Sequence, residues 1–277
     1  MVISAVRRHI CDRLELGGVA DASFDTNELI CYALGVNRTQ MSLFPDQDVD
    51  EKQLSMLDEL AKRRIAGEPL QYILGEWEFY GLPFYVGDGV LIPRADTEVL
   101  VDCALNFLKT RQNADVIDLC SGSGCIAISV KKNAPSVNMT AVELYDKAYD
   151  FLVRNAERNH SEINIVRADV LQKDDGFGMF DLILTNPPYI EAEVVPTLSK
   201  EVQSEPITAL DGGKDGLDYY RAIAENWVPL LKPNGCIIAE IGEDQAQSVT
   251  NIFKLKNLIC DTVKDLNGLD RVIVGTK

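Results

Sequence analysis

From about Val99 to the end of the chain, apolar stretches of strand length alternate with amphipathic stretches of helical length, and this alternation restricts the fold more than any other feature. It predicts strands at 115–119, 138–143, 163–167, 180–185, 235–241, 259–264 and 271–275, separated by helices near 97–110, 125–133, 146–160, 218–231 and 244–253. Helical crossovers bring successive strands into parallel pairing, with helices on both faces of the sheet. Only Asn267-Gly268-Leu269-Asp270 parts the last two strands, so those two are expected to form an antiparallel hairpin. The fold class is α/β, a seven-stranded, mainly parallel sheet. Ligands of such sheets lie outside the carboxyl ends of the strands, where Asp118, Glu143, Asp169 and Asn186 fall.

The first eighty residues follow a different period. Val2, Ile3, Val6, Ile10 and Leu14 recur at helical spacing, as do Leu29, Ile30, Ala33 and Leu34 ahead of Gly35. Asp48 with Glu51 resembles a capping box before Leu54, Leu57, Leu60, Ala61 and Ile65, and Gly67 with Pro69 stops that helix. Residues 1–75 therefore read as a small helical bundle. Residues 76–92, with Trp77, Phe79, Tyr80, Phe84 and Tyr85 around Gly81 and Pro83, read as a β-hairpin linking it to a larger domain, 93–277.

A length of 277 residues suits two domains, and 46% hydrophobic with 25% charged residues is ordinary globular material. No apolar run reaches eighteen residues, and Arg7, Arg8 and His9 break the apolar stretch at 2–10, so neither a membrane span nor a signal peptide is expected. Seven cysteines at 11, 31, 103, 120, 125, 236 and 260 show no Cys-x-x-Cys pairing and read as reduced thiols of a cytoplasmic protein. His9 and His160 are isolated, so no metal is expected. The net charge of −16, from 27 basic and 43 acidic residues, repels polyanions and argues against duplex DNA as a partner. Arg7-Arg8, Lys62-Arg63-Arg64 and Lys131-Lys132 are short and read as solvated helix faces.

Two motifs carry chemistry. The first runs Asp118-Leu119-Cys120-Ser121-Gly122-Ser123-Gly124, where a strand ends in a small-residue loop and opens a helix. This is an arrangement in which backbone approaches a nucleotide-like ligand. Glu143 closes the next strand and is placed to accept from ribose hydroxyls. No Lys follows the glycines, which excludes a phosphate-binding P-loop and points to a ligand with ribose and adenine but no phosphate. S-adenosylmethionine answers that description, and its sulfonium cation suits Asp118 and Glu143. Asp169, after the strand at 163–167, is placed either to accept from the adenine amino group, with Val170 against the ring, or to cap a helix. The cofactor set is Asp118, Cys120, Ser121, Gly122, Ser123, Gly124, Glu143, Asp169, Val170 and Asn186.

The second motif is Asn186-Pro187-Pro188-Tyr189, at the end of the strand Phe180 to Thr185. The prolines lack backbone N–H groups and have fixed φ, so the Asn186 oxygen and the Pro187 carbonyl can face one spot while Tyr189 covers it. Two acceptors and an aromatic face suit a planar –NH2 group. Asn186, Pro187, Pro188 and Tyr189 form the candidate catalytic set.

With these motifs, the chain resembles the HemK-type protein-(glutamine-N5) methyltransferases that modify peptide chain release factors. The resemblance includes Gly67-Glu68-Pro69-Leu70-Gln71-Tyr72-Ile73-Leu74-Gly75, Phe79, Gly81, Leu91-Ile92-Pro93-Arg94 with Thr97-Glu98, and the two motifs above. It continues through Glu205-Pro206, Ala209-Leu210, Asp215-Gly216-Leu217, Glu240-Ile241-Gly242 and Arg271. It implies a Rossmann-like, S-adenosylmethionine-dependent methyltransferase sheet, with a release factor as partner and the glutamine of its Gly-Gly-Gln motif as acceptor. Amino methylation of a nucleic-acid base (adenine N6 or guanine N2), or of a ribosomal-protein glutamine, is the alternative, since a base amine presents the same donors. Cys120 stands where the family more often has glycine, which requires that this position not be left-handed. Glu143 replaces the usual Asp and keeps the charge. Arg94, Thr97 and Glu98 serve either the site or a structural ion pair and helix cap. The glycine-rich stretch 211–218 reads either as a mobile loop contacting the substrate or as ordinary surface.

Overall fold

A computed structural model of the chain describes residues 1–172 and 176–277. It divides into two compact units: Met1–Gly75 with Ser199–Ser204, and Glu76–Leu198 with Glu205–Lys277.

The first unit is helical, with α1 (Ile3–Leu16), α2 (Ala22–Leu34), α3 (Arg38–Leu43), α4 (Glu51–Ile65), α5 (Leu70–Leu74) and a single turn at Lys200–Gln203. Helix α1 buries Ile3, Val6, Ile10 and Leu14 along one stripe, and α2 ends on Gly35 in the left-handed conformation. The capping box lies two residues later than the Asp48/Glu51 expectation. Asp50 Oδ1 accepts from the Gln53 N–H at 2.8 Å, and Gln53 Oε1 accepts from the Asp50 N–H at 3.1 Å. The preceding residues are held extended, Asp48 by a bridge to Val2 and Val49 by a 2.8 Å bond to the Met1 carbonyl. At the centre of this unit Arg64 is buried, donating through Nε to Asp25 at 2.5 Å and through Nη2 to Glu201 at 2.7 Å.

The second unit opens with the antiparallel hairpin β1 (Glu76–Phe79) and β2 (Leu82–Tyr85), so the pairing expected over 76–92 is complete by Tyr85. Phe79 and Phe84 are buried in the core of this unit. Asn155 bonds both main-chain groups of Tyr85, at 2.7 and 3.0 Å. Instead of a free linker, the hairpin is a wall of the second unit.

The main sheet contains β3 (Asp115–Leu119), β4 (Asn138–Val142), β5 (Asn164–Val166), β6 (Phe180–Thr185), β7 (Leu231–Glu240), β8 (Ile259–Lys264) and β9 (Asp270–Thr276). Their order is β5-β4-β3-β6-β7-β9-β8; the first five are parallel and β9 runs antiparallel to both its neighbours. This is the seven-stranded sheet expected from the alternation. Val116, Leu182, Leu184, Cys236 and Ile238 face α6 (Glu98–Leu108), α7 (Cys125–Asn133) and α8 (Asp146–Arg158). Ile117, Leu119, Ile183, Ile237 and Ala239 face α9 (Asp218–Asn226) and α10 (Ala246–Lys254). The helix expected over 218–231 breaks at Asn226 into a tight turn, Val228–Leu230, because Pro229 cannot continue it, and β7 begins at once.

Register sets the site. Val166, Val142, Leu119, Thr185 and Ala239 pair in one row across β5, β4, β3, β6 and β7. The residues that follow Val142, Leu119, Thr185 and Ala239 are Glu143, Cys120, Asn186 and Glu240. Among the described residues no helix is long and apolar enough to cross a membrane.

Arg64→Ala leaves Asp25 buried without its cation, and is expected to lower the stability of the helical unit by about 3–5 kcal/mol. Urea denaturation followed by far-ultraviolet circular dichroism measures it.

Candidate active site

The loop after β3 turns sharply. Cys120, Gly122 and Gly124 all have positive φ, at 59°, 54° and 81°. The expectation that Cys120 keeps φ below zero is therefore corrected: the chain must reverse from strand to helix within five residues, and the reversal begins on Cys120. A non-glycine residue there costs on the order of 1–3 kcal/mol. Alternating left-handed positions turn successive N–H groups inward, a geometry that suits an anion. Here the anion is the protein's own. Glu143 Oε2 accepts from the Gly122 N–H at 2.9 Å, and its Oε1 accepts from Leu144 and Tyr145 at 2.8 and 2.9 Å. Of about four lone-pair positions on a carboxylate, three are used and one on Oε2 remains. Burial raises the Glu143 pKa, against the pull of these three amides and Arg167. Asn155 steadies the far side of the loop, donating to the Ser123 carbonyl at 2.9 Å.

The loop borders a cleft enclosing about 860 Å³ of solvent-open space. Of the residues expected at the site, Cys120, Ser121, Gly122, Ser123, Glu143, Asp169, Val170, Asn186 and Pro188 line it, whereas Asp118, Gly124, Pro187 and Tyr189 do not. Asp118 lies two residues after Val116 on a strand and so points into the layer beneath α7. It is fully buried, and neither carboxylate oxygen has a hydrogen-bond partner. The Ser121 hydroxyl is spent on the Asp118 main-chain carbonyl at 2.8 Å. Burial pushes Asp118 up to about 7, opposed by the nearby Ser121 hydroxyl and Ala127 N–H and reinforced by Glu143. Asp169 forms a local turn, its Oδ1 accepting from the Leu171 N–H at 2.9 Å and its Oδ2 from Gln172 Nε2 at 3.1 Å. No helix of the described residues starts on it, so the cap reading fails. Val170 is fixed by its carbonyl, which accepts from the buried Trp227 Nε1 at 2.9 Å.

Tyr189 packs partly buried against the second core layer instead of over the cleft. Burial and the Glu240 charge push its phenol up to about 12, against Arg271 and Arg94. Its carbonyl accepts from Gln245 Nε2 at 2.9 Å. Gly212 approaches so closely that a Cβ there would fall 2.7 Å from Tyr189 Cα and 2.8 Å from the Pro188 carbonyl. The Gly212 N–H also bonds Ile190 at 2.8 Å, and Ala192 bonds Gly213 at 2.9 Å. The stretch 211–218 is thus neither a free loop nor plain surface; it braces the Asn-Pro-Pro-Tyr turn from behind.

Arg94 pairs with Glu205, which also accepts from the Ile92 N–H at 3.0 Å. Glu98 accepts from the Tyr80 N–H at 2.8 Å. Thr97 makes no capping bond and instead accepts from Asn186 Nδ2 at 3.3 Å. Sequence reasoning assigned nothing to Asn155, Glu205, Tyr219, Glu240 or Gln245. Glu205 and Glu240 lay in segments that carried the resemblance; Tyr219, which lines the cleft, gave no signal. Among the described residues no group of three or more His, Cys, Asp and Glu is placed to hold a metal.

Residues 96–210 match the family model described as methyltransferase small domain, and residues 5–75 match the PrmC N-terminal domain. A T. thermophilus 16S rRNA methyltransferase solved with AdoMet and guanosine superimposes with a TM-score of 0.52 at 17% identity, covering 73% of this chain and 49% of that one. Sheet order, strand-end loop and family model together define a Rossmann-like methyltransferase. The release factor glutamine methyltransferase of Geobacter sulfurreducens is 40% identical over 260 residues, 93% of this chain and 90% of that protein. Its counterpart from Fusobacterium nucleatum is 37% identical over 271 residues, 95% and 76% respectively. The chain belongs to the release factor glutamine methyltransferase family.

Two outcomes follow from the strain and the buried acid. Cys120→Gly relieves the left-handed side chain and is expected to raise stability by about 1 kcal/mol in denaturant titrations. Between the ordinary aspartate value near 4 and about 7, the unfolded chain ionises Asp118 while the fold keeps it protonated, so stability is lost as pH rises through that window. Ligand-free Asp118→Asn should therefore unfold at higher urea than the natural protein at pH 8, and at a similar concentration at pH 4.

Proposed function

We propose that this chain transfers the methyl group of S-adenosyl-L-methionine to the side-chain amide nitrogen, N5, of the glutamine in the Gly-Gly-Gln motif of peptide chain release factors. The observation that carries this reading is the exit of Asn186-Pro187-Pro188-Tyr189 from β6 beside the glycine loop of β3, with Asn186, Glu143 and Asp169 in one cleft. Family membership supports it.

The cleft suits the cofactor. Arg94 is the one basic side chain among its described lining residues, and Glu205 already neutralises it. Glu143 keeps one acceptor position and no unneutralised basic side chain lines the cleft among the described residues, so the surroundings favour a phosphate-free ligand. When bound, S-adenosylmethionine supplies an electrophilic methyl on a sulfonium. In this reading Glu143 takes a ribose hydroxyl, Asp169 the adenine amino group and Val170 the ring face, while backbone at 120–124 lies alongside.

An amide nitrogen is a poor nucleophile because its lone pair is delocalised, so positioning does most of the work. Asn186 Nδ2 is engaged by Thr97, which leaves Oδ1 for the substrate. Oδ1 accepts an amide hydrogen and aims the nitrogen at the methyl, while Pro187, which does not line the cleft, stiffens the turn that carries Asn186. The nitrogen becomes acidic only once methylated, and then loses its proton to water. Tyr189, braced by Gln245 and Gly212, holds the turn rigid. The helical unit docks the protein substrate in this scheme, and the charge of −16 disfavours nucleic acid as the acceptor. The reaction belongs in the cytoplasm, where release factors act and where seven free thiols stay reduced.

Labelled cofactor with a recombinant release factor should give label on the factor and none on its Gln→Ala control. Asn186→Ala is expected to lower kcat by about 10²–10³-fold while cofactor affinity changes little. Label on the control, or on duplex DNA in its place, would contradict the assignment.

A further inference from the structure

Beyond Thr97, Asn186 has a second buried companion, Glu240. Thr185 pairs with Ala239, so Asn186 and Glu240 stand at the same level of adjacent parallel strands. Thr97 reaches the same point from the turn before α6, accepting from Asn186 Nδ2 at 3.3 Å. Thr97 and Glu240 are each only 2% exposed, and Glu240 Oε2 is buried without a hydrogen-bond partner. Burial pushes Glu240 up to about 7, while the Thr97 hydroxyl, the Arg271 guanidinium and the Asn186 amide favour its ionised form and Asp96 opposes it. Tyr189, Tyr220 and Cys125 complete the titratable surroundings. Tyr220 donates to the Glu240 main-chain carbonyl at 2.8 Å, and Arg271 is shared with Asp265 at 3.1 Å.

A carboxamide offers an acceptor at one end and two donors at the other, so the end it turns toward the cleft decides whether it attracts or repels a substrate –NH2. The protein must fix that choice. An ionised carboxylate only accepts, so a hydroxyl beside it points its hydrogen that way and presents a lone pair elsewhere. We propose that Glu240 is a positioning residue which, through the Thr97 hydroxyl, holds the Asn186 amide with Nδ2 turned inward and Oδ1 toward the substrate amide. The inference rests on the amide-methylating function above. Protonated Glu240 donates as well as accepts, and the Thr97 hydroxyl then loses its fixed direction. Asn186 is free to present Nδ2 to the substrate, donor against donor. The ionised form is the working form, so turnover falls as pH falls through the Glu240 pKa.

The test measures kcat on the intact release factor between pH 5.5 and 8.5, with cofactor affinity by calorimetry, for the natural protein, Glu240→Gln, Thr97→Val and Thr97→Ser. The natural protein should lose about tenfold in kcat per pH unit on its acid limb. Glu240→Gln should lower kcat about 10–100-fold and flatten that limb, Thr97→Val should do the same, and Thr97→Ser should restore most of the rate. Cofactor affinity should stay within about threefold throughout. Combining Glu240→Gln with Thr97→Val should cost no more than either alone, since in this proposal both act on the orientation of the one Asn186 amide. Natural kcat in Glu240→Gln or Thr97→Val, a Thr97→Ser no better than Thr97→Val, or cofactor affinity falling in step with kcat would each overturn the role of Glu240. No turnover of the release factor by the natural protein would remove the function and this inference together, whereas normal turnover with unaltered variants removes only the inference.

Discussion

Everything at the site depends on the locked register of the parallel strands. Hydrogen bonds along β4, β3, β6 and β7 bring Val142, Leu119, Thr185 and Ala239 level, so the side chains one residue further on have no choice of neighbour. A one-residue slip would exchange the faces of a strand and send Asn186 or Glu240 to the wrong layer. The two apolar layers forbid that slip, because Ile183 and Ile237 would trade places with residues of the opposite face. Packing far from the cleft thus determines which polar groups meet inside it.

The electrostatics follow from the same row. Glu143 and Glu240 are buried directly after the row and Asp118 one residue before it, and burial raises the pKa of each. Glu143 is reconciled with its surroundings by three backbone amides. Asp118 and Glu240 retain unpartnered oxygens. Buried carboxyls of this kind are poised to ionise near neutral pH, and a positive centre brought into the same low-dielectric setting favours their charged form.

Much of this was legible in the sequence because it rested on local signals. Period-two apolar stretches gave the strands, the small-residue loop gave the β3 to α7 turn, and the short Asn-Gly turn gave the final hairpin. Other features depended on partners distant along the chain. The left-handed Cys120 answers to the geometry of the turn, and the brace at 211–218 exists only because β6 passes beside it. Glu240 meets Asn186 only because β7 is the strand next to β6, a fact of sheet order. Pro229 already marked a helix break, and the parity of Asp118 with Val116 already placed its carboxylate on the buried face.

The helical unit is not a contiguous stretch of chain. Its core arginine is satisfied partly by Glu201, which the polypeptide supplies more than 130 residues after Arg64, just downstream of the Asn-Pro-Pro-Tyr turn. Grafting residues 1–75 onto another scaffold would therefore move an incomplete fold, and a swap of recognition modules between relatives has to carry the 199–204 segment as well. In evolution the two pieces are bound to drift together, so their substitutions should be correlated.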